Sequence, residues 1–203
     1  MIIIVDYGMG NVGSILNMFK KLGVDNVTVS NKIEGVEEAD KLILPGVGAF
    51  DNGMKNLKES GLIPVLNKKV IEDEVPVLGI CLGMQLLCNK SEEGEEPGLG
   101  WIDADVIKFR IDDTVNFKIP HMGWNYVEIK EENPLISKEQ RNRYYFVHSY
   151  YVKCNVEEDI IARANHSFDF TCAVQHENIF GTQFHPEKSH KFGMKLLKNF
   201  ALL

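Results

Sequence analysis

A chain of 203 residues, 44% apolar and 25% charged, can bury its own core without disulfides and has the composition of a soluble globular protein. Its formal net charge of −7 excludes a broad basic surface for nucleic acid and gives no reason to expect a membrane partner. The opening apolar run, Ile2 to Val5, stops at Asp6, too short for a signal peptide or a spanning helix. The cysteines Cys81, Cys88, Cys154 and Cys172 form no C-x-x-C pair, so a reduced, cytoplasmic protein is expected.

In chain order, Ile2–Val5 predicts a strand covered on both faces. Ile15, Leu16, Phe19 and Leu22 recur at helical spacing, and Gly23 ends that helix. Val27 to Val29 is a second strand, and Leu42 to Leu44 a third, ended by Pro45. Met54, Leu57, Gly61 and Val65 mark a helix that Pro64 divides. Val75 to Ile80 is a fourth strand, leading through Cys81 into a helical run that takes in Met84 to Leu87 and Cys88. This alternation predicts a mainly parallel α/β sheet with right-handed crossovers. Beyond the polar loop Ser91 to Gly100 the texture changes. Strands are expected over Val106–Phe109, Tyr126–Ile129, Tyr144–Val147 and Thr171–Val174. A turn at Glu177-Asn178 leads into Ile179–Phe184, and a last helix carries Phe192, Leu196, Leu197 and Phe200. Candidate active groups fall on both sides of the polar loop, so residues 1–203 are read as one domain.

Gly79-Ile80-Cys81-Leu82-Gly83 is the strongest local signal. Glycines two before and two after a nucleophile permit a crowded strand-to-helix turn that thrusts the side chain out at the carboxyl end of the sheet. Taken alone, the pentapeptide also fits a buried, inert cysteine between structural glycines. Cys88 has no glycine frame and is read as a small core residue. A thiol nucleophile needs a base and usually an orienting carboxylate. His185-Pro186-Glu187 offers both across one stiff turn, although such a tripeptide also occurs as a plain surface turn. His121, His148, His166, His176 and His190 compete for the role of base, and for His148 a structural histidine is the alternative. The histidines have no close spacing that would mark a metal site, and no metal or cofactor is expected. Gly46-Val47-Gly48 closes the third strand at the same sheet edge, where backbone N–H groups can stabilise an oxyanion; a simple turn is the alternative. Gly8-Met9-Gly10-Asn11 lacks the spacing of a dinucleotide loop.

Six blocks together resemble the class I, triad-type glutamine amidotransferases. They are Asp6 to Asn11, Leu44 to Phe50, Gly79 to Leu87, Pro120 to Asn125, Tyr145 to Tyr150 and Gly181 to Ser189. Each is weak alone; their order and spacing are specific. Within the family they are most similar to the glutaminase subunits that serve imidazole glycerol phosphate synthases. The resemblance implies the family fold and the hydrolysis of L-glutamine through a thioester. It implies Cys81 as nucleophile, His185 as base and Glu187 as orienting carboxylate. It further implies oxyanion donors at the backbone of Val47 and Leu82, and substrate contacts from Gly46, Gly48, Gln85, His148, Ser149 and Tyr150. It implies a partner, a (β/α)8 barrel synthase subunit in a heterodimer, fed with ammonia through a protected route, with Asn11, Trp124 and Tyr145 at the interface. The alternative for the two aromatics is a place in the core. Arg163 to Phe168 and His190 to Met194 depart from the histidine-pathway pattern. The latter resembles paralogues that supply ammonia for nitrogen-bearing surface sugars, which makes that pathway the alternative. A cysteine hydrolase or peptidase of similar fold is the remote one.

Overall fold

The computed structural model describes residues 1–138 and 141–203. In chain order the elements are β1 (Ile2–Val5), α1 (Val12–Lys21), β2 (Val27–Ser30), α2 (Ile33–Glu37), β3 (Lys41–Gly46), α3 (Phe50–Glu59), α4 (Ile63–Asn67), β4 (Val77–Cys81) and α5 (Leu82–Leu86). The second half adds β5 (Lys90–Ser91), β6 (Ala104–Lys108), β7 (His121–Ile129), β8 (Asn142–His148), β9 (Tyr150–Cys154), β10 (Ile160–His166), β11 (Phe168–His176), β12 (Ile179–Thr182) and α6 (His190–Leu202).

One mixed sheet runs through the molecule in the order β2-β1-β3-β4-β12-β11-β10-β7-β8. The first five strands are parallel neighbours, and the pairing turns antiparallel from β12 onward. β1 is buried along its whole length because its alternate residues feed two different cores. Ile2 and Ile4 join Ile15 and Phe19 of α1 and Leu196, Leu197 and Phe200 of α6 on one face. Ile3 and Val5 join Phe50, Met54 and Leu57 of α3 and Leu82 and Leu86 of α5 on the other. α1 is capped by the Asn11 side chain, which accepts from the Ser14 N–H, and is followed by Gly23 at φ +70°. Among the described residues no helix is long and apolar enough to cross a membrane.

Pro45 does not end the third strand as expected; β3 runs on to Gly46. Pairing with β1 stops at Ile43, whereas pairing with β4 continues through Pro45↔Ile80 and Gly46↔Cys81. The missing proline N–H therefore costs no ladder bond on the β1 side, and the Pro45 carbonyl accepts the Tyr7 hydroxyl there at 2.6 Å. The helix after Cys81 ends at Leu86, so Cys88 lies just past it and not inside it. Cys88 is nonetheless fully buried, with its thiol 3.7 Å from the Met84 carbonyl. The divided helix is observed as α3 and α4, with Pro64 in the first turn of α4. β5, β9, β10 and α2 had no counterpart in the sequence reading.

Candidate active site

The site forms where three strands end together. Gly46 at the end of β3 pairs with Cys81 at the end of β4. β12 lies parallel to β4 on its other side, with Thr182 opposite Ile80. The chain leaving β12 therefore carries Gln183, Phe184 and His185 past Cys81. Residues 104 apart in sequence meet because two strands share one edge. The His185-Pro186-Glu187 turn is tied to β8 by the His185 N–H donating to the Tyr145 carbonyl at 2.9 Å. It is closed by the Ser189 hydroxyl, which donates to the His185 carbonyl at 2.6 Å.

Cys81 has φ 55° and ψ −110°, a conformation rare for a residue with a side chain. The neighbouring glycines are required by close approach. A Cβ on Gly83 would fall 1.8 Å from the Leu44 carbonyl oxygen, and one on Gly79 would lie 2.8 Å from the Met84 backbone. The elbow is thus pressed against β3 on one side and closed over its own strand on the other. Leu82 is the first residue of α5, so its N–H has no intrahelical partner.

His185 Nδ1 lies 2.8 Å from Glu187 Oε1, and both side chains are almost completely buried. Burial opposes the charged imidazolium; contacts with Cys81 and Glu187 outweigh it and push His185 up to about 9. His185 Nε2 makes no hydrogen bond among the described residues. That nitrogen is the one left to exchange a proton with a thiol or a leaving group.

A cavity of about 290 Å³ opens onto these groups. It is lined by Val47, Gly48, Cys81, Leu82, Gln85, His148, Ser149, Tyr150 and His185, so nine of the positions expected from sequence share one space. Gly46 stands behind the elbow: a Cβ there would sit 2.8 Å from the Gly83 N. Glu187 stands behind His185. Asn11, Trp124 and Tyr145 lie outside the cavity.

His148 cannot serve as the base. Its Nδ1 is 2.7 Å from the Tyr150 carbonyl and its Nε2 is 3.0 Å from His121 Nδ1, so both nitrogens are engaged. Burial pushes it down to about 3. Trp124 is 38% exposed and is not a core aromatic. Its ring stacks on His190 at 5.5 Å and meets Tyr145 edge-on, while Arg143 lies over it. Met122 and Tyr126, on the same face of β7, are exposed as well.

Sequence reasoning missed three contributors. Glu93 lines the cavity and accepts the Phe50 N–H at 2.9 Å; a glutamate in a polar loop carries no local signal. Gln183 receives Gln85 Nε2 at 3.1 Å and directs its own Nε2 to the Cys81 sulfur at 3.8 Å. Its signal was present, two residues before His185. His121 was noted only as a competing base. The fold also sets the His121 ring 4.3 Å from that of His166 at a tilt of 30°, yet among the described residues no group of three His, Cys, Asp or Glu could hold a metal ion.

A glycine-framed cysteine elbow and a buried imidazole–carboxylate pair beside one small cavity suit acyl transfer. Comparison with known proteins agrees. The family model for glutamine amidotransferase class-I matches residues 3–203. A chain of Methanococcus maripaludis described as imidazole glycerol phosphate synthase subunit HisH 2 is 57% identical over 201 residues, 98% of each chain. One of Pseudomonas aeruginosa with the same description is 53% identical over the full length of both. A solved structure described as a glutamine amidotransferase superposes with a TM-score of 0.76 at 21% identity, over 98% of this chain and 97% of that one, a likeness of fold. With a family model and relatives more than half identical spanning nearly all of it, this chain belongs to the class-I glutamine amidotransferase family.

Proposed function

We propose that this chain is the glutaminase subunit of an imidazole glycerol phosphate synthase, hydrolysing L-glutamine and passing ammonia to a (β/α)8 barrel subunit. The observation that carries the chemistry is the shared cavity. The strained Cys81 elbow, His185 with Glu187 behind it, and Val47, Gly48 and Leu82 meet at one space of about 290 Å³.

In this reading the Cys81 thiolate attacks the carboxamide carbon of glutamine. The N–H groups of Val47 and Leu82 receive the oxyanion. The His185 imidazolium gives its Nε2 proton to the departing nitrogen, the C–N bond breaks, and ammonia leaves a thioester behind. Water then attacks the thioester. His185 takes its proton, the C–S bond breaks, glutamate departs, and the Cys81 thiolate and His185 imidazolium are restored. Glu187 holds the imidazole upright and offsets its charge. Glu93 supplies negative charge on the cavity wall for the substrate's α-ammonium, and Ser149 and Tyr150 present backbone to its other end.

The names of the relatives support the acceptor pathway, and the exposed stripe Met122, Trp124 and Tyr126 supports docking of a partner over β7 and β8, beside Tyr145. Such apolar and aromatic exposure on one strand face is the surface an interface core uses. Asn11 caps α1 and reaches the partner from that position. His190, in one of the departing segments, stacks on Trp124, so departures from the histidine-pathway pattern reach this surface. The test measures glutamate release from the chain alone, with its barrel subunit, and with barrel plus an acceptor analogue. The expected result is slow hydrolysis alone and faster hydrolysis in the loaded complex. Equal rates in all three overturn the coupling, and stimulation by a surface-sugar acceptor only overturns the histidine pathway.

A further inference from the structure

The β7–β8 hairpin has an outer face carrying Trp124 and Tyr145 and an inner face on which His121 stands directly opposite His148. The inner pair belongs to a chain of hydrogen bonds whose polarity can be worked out from its ends. The Tyr150 carbonyl only accepts, so His148, 2.7 Å away, carries its proton on Nδ1. The Nε2 of that neutral ring accepts, so His121 Nδ1, at 3.0 Å, carries a proton as well. His121 Nε2 then accepts in turn, from Asn125 Nδ2 at 3.2 Å. The second hydrogen of Asn125 goes to the Asn165 carbonyl at 2.8 Å.

At the catalytic end the same Tyr150 carbonyl accepts a second bond, from Gln85 Nε2 at 3.3 Å. Gln85 also donates to Gln183 Oε1 at 3.1 Å, and Gln183 Nε2 faces the Cys81 sulfur at 3.8 Å. The rings of Phe109, Phe146 and Phe170 pack around the two imidazoles and keep water from competing. Burial pushes His148 down to about 3 and His121 down to about 4, which keeps both rings neutral, as this polarity needs.

We propose that His121, oriented by Asn125, is a positioning residue of the glutamine site: it fixes the tautomer of His148, and through it the Tyr150 backbone and the Gln85 carboxamide on the cavity wall. It touches neither substrate nor the reacting sulfur. Without its N–H, His148 Nε2 becomes a buried acceptor with no donor. The ring then gains by rotating or changing tautomer, and the Tyr150 carbonyl loses the shorter of its two bonds. The proposal rests on the glutaminase reading only for its kinetic arm.

Two measurements test it on the full-length protein. Long-range proton–nitrogen NMR of the histidines reads the tautomers directly and needs no glutamine. The expected spectrum has His121 and His148 both as the Nδ1–H form. An Nε2–H form for His148 in the parent overturns the proposal. Kinetics supply the second arm. His121→Leu is expected to raise KM for glutamine about tenfold with a smaller change in kcat, the scale of one unsatisfied buried acceptor. His121→Asn, which returns an N–H near the Nδ1 position, is expected to recover most of that loss; a merely space-filling role predicts the reverse, since leucine fills the site better. A KM for folded His121→Leu within about twofold of the parent, against that expected tenfold, overturns the proposal. Should His121→Leu fail to fold, Asn125→Asp, which puts an acceptor against His121 Nε2, is expected to change the His121 tautomer and raise KM; unchanged values in both overturn it. A parent protein that releases no glutamate sinks the glutaminase reading instead, and the NMR arm still decides the tautomers.

Discussion

The parallel and antiparallel parts of the one sheet divide the labour of the site. β3 and β4 are buried on both faces and end in tight, glycine-crowded turns that hold Val47, Cys81 and Leu82. β7 and β8 have one buried and one exposed face, and they carry His148 inward and Trp124 outward. A strand buried on both faces fixes backbone position most tightly, which suits a nucleophile and oxyanion donors. A two-faced strand can shape a pocket with one side and offer a docking surface with the other. β12 is the seam, parallel to β4 and antiparallel to β11, and the His185–Glu187 turn leaves from it.

If this division holds, substitutions at the parallel edge act on the chemical step and those in the antiparallel part act on binding. The largest effect is expected from Cys81→Ala, a loss of glutamate release of at least about 10³-fold. Cys88→Ala, seven residues on and walled into the core, is expected to leave the rate nearly unchanged. A Cys81→Ala variant within tenfold of the parent, against the about 10³-fold loss expected, breaks the assignment. Next in size, His185→Asn is expected to cost more in kcat than His148→Asn, whose effect falls on KM. A folded His148→Asn variant with the larger kcat loss reverses the roles of seam and hairpin. Trp124→Ala follows, with the isolated chain's activity kept and barrel affinity weakened about 30-fold, as for one interface aromatic. Titration of the partner by calorimetry, beside the glutaminase rate of the chain alone, checks both halves. Equal loss in both would mean that the outer face supports the catalytic centre as well.

The same contrast explains what could be read from sequence. Continuous apolar runs announced β1, β3 and β4, and the glycine frame singled out Cys81, because those signals are local. Pro45 misled because whether a proline ends a strand depends on which neighbour its missing N–H faces, and that is a property of the sheet. β9 and β10 escaped although Lys153, Arg163 and Asn165 alternate with buried Val152, Ala162 and Ala164, because their inward residues are few and mostly small and so give a weak apolar signal. The His185–Cys81 meeting was expected from what a thiol nucleophile needs and from family resemblance, not from the sheet; the β4–β12 pairing that creates it has no local signature. Glu93 and the inward role of His121 depend wholly on tertiary contacts.

The smallest effect expected is in pH dependence, where seam and hairpin differ in sign. The fold raises His185 from its ordinary value of 6.5 to about 9, so its protonated form is favoured. Its contribution to stability is full below pH 6.5 and is lost as pH rises through about 9. The fold lowers His121 to about 4 and His148 to about 3, so their contribution is present above pH 6.5 and is lost as pH falls through those values. Stability measured by urea unfolding should therefore fall toward both extremes, part of the acid side owing to the hairpin and part of the alkaline side to the seam. On the alkaline side activity should follow the seam. The leaving nitrogen needs the imidazolium, so kcat/KM for glutamine should decline above about pH 9. Glu187→Gln keeps the hydrogen-bonding shape but removes the charge that helps hold that proton. Its alkaline limb should move toward neutrality, with part of the activity near pH 7 retained. A Glu187→Gln profile whose limb stays at the parent's pH would show that Glu187 orients the ring without tuning it, and would leave the Cys81 contact as the sole source of the raised value.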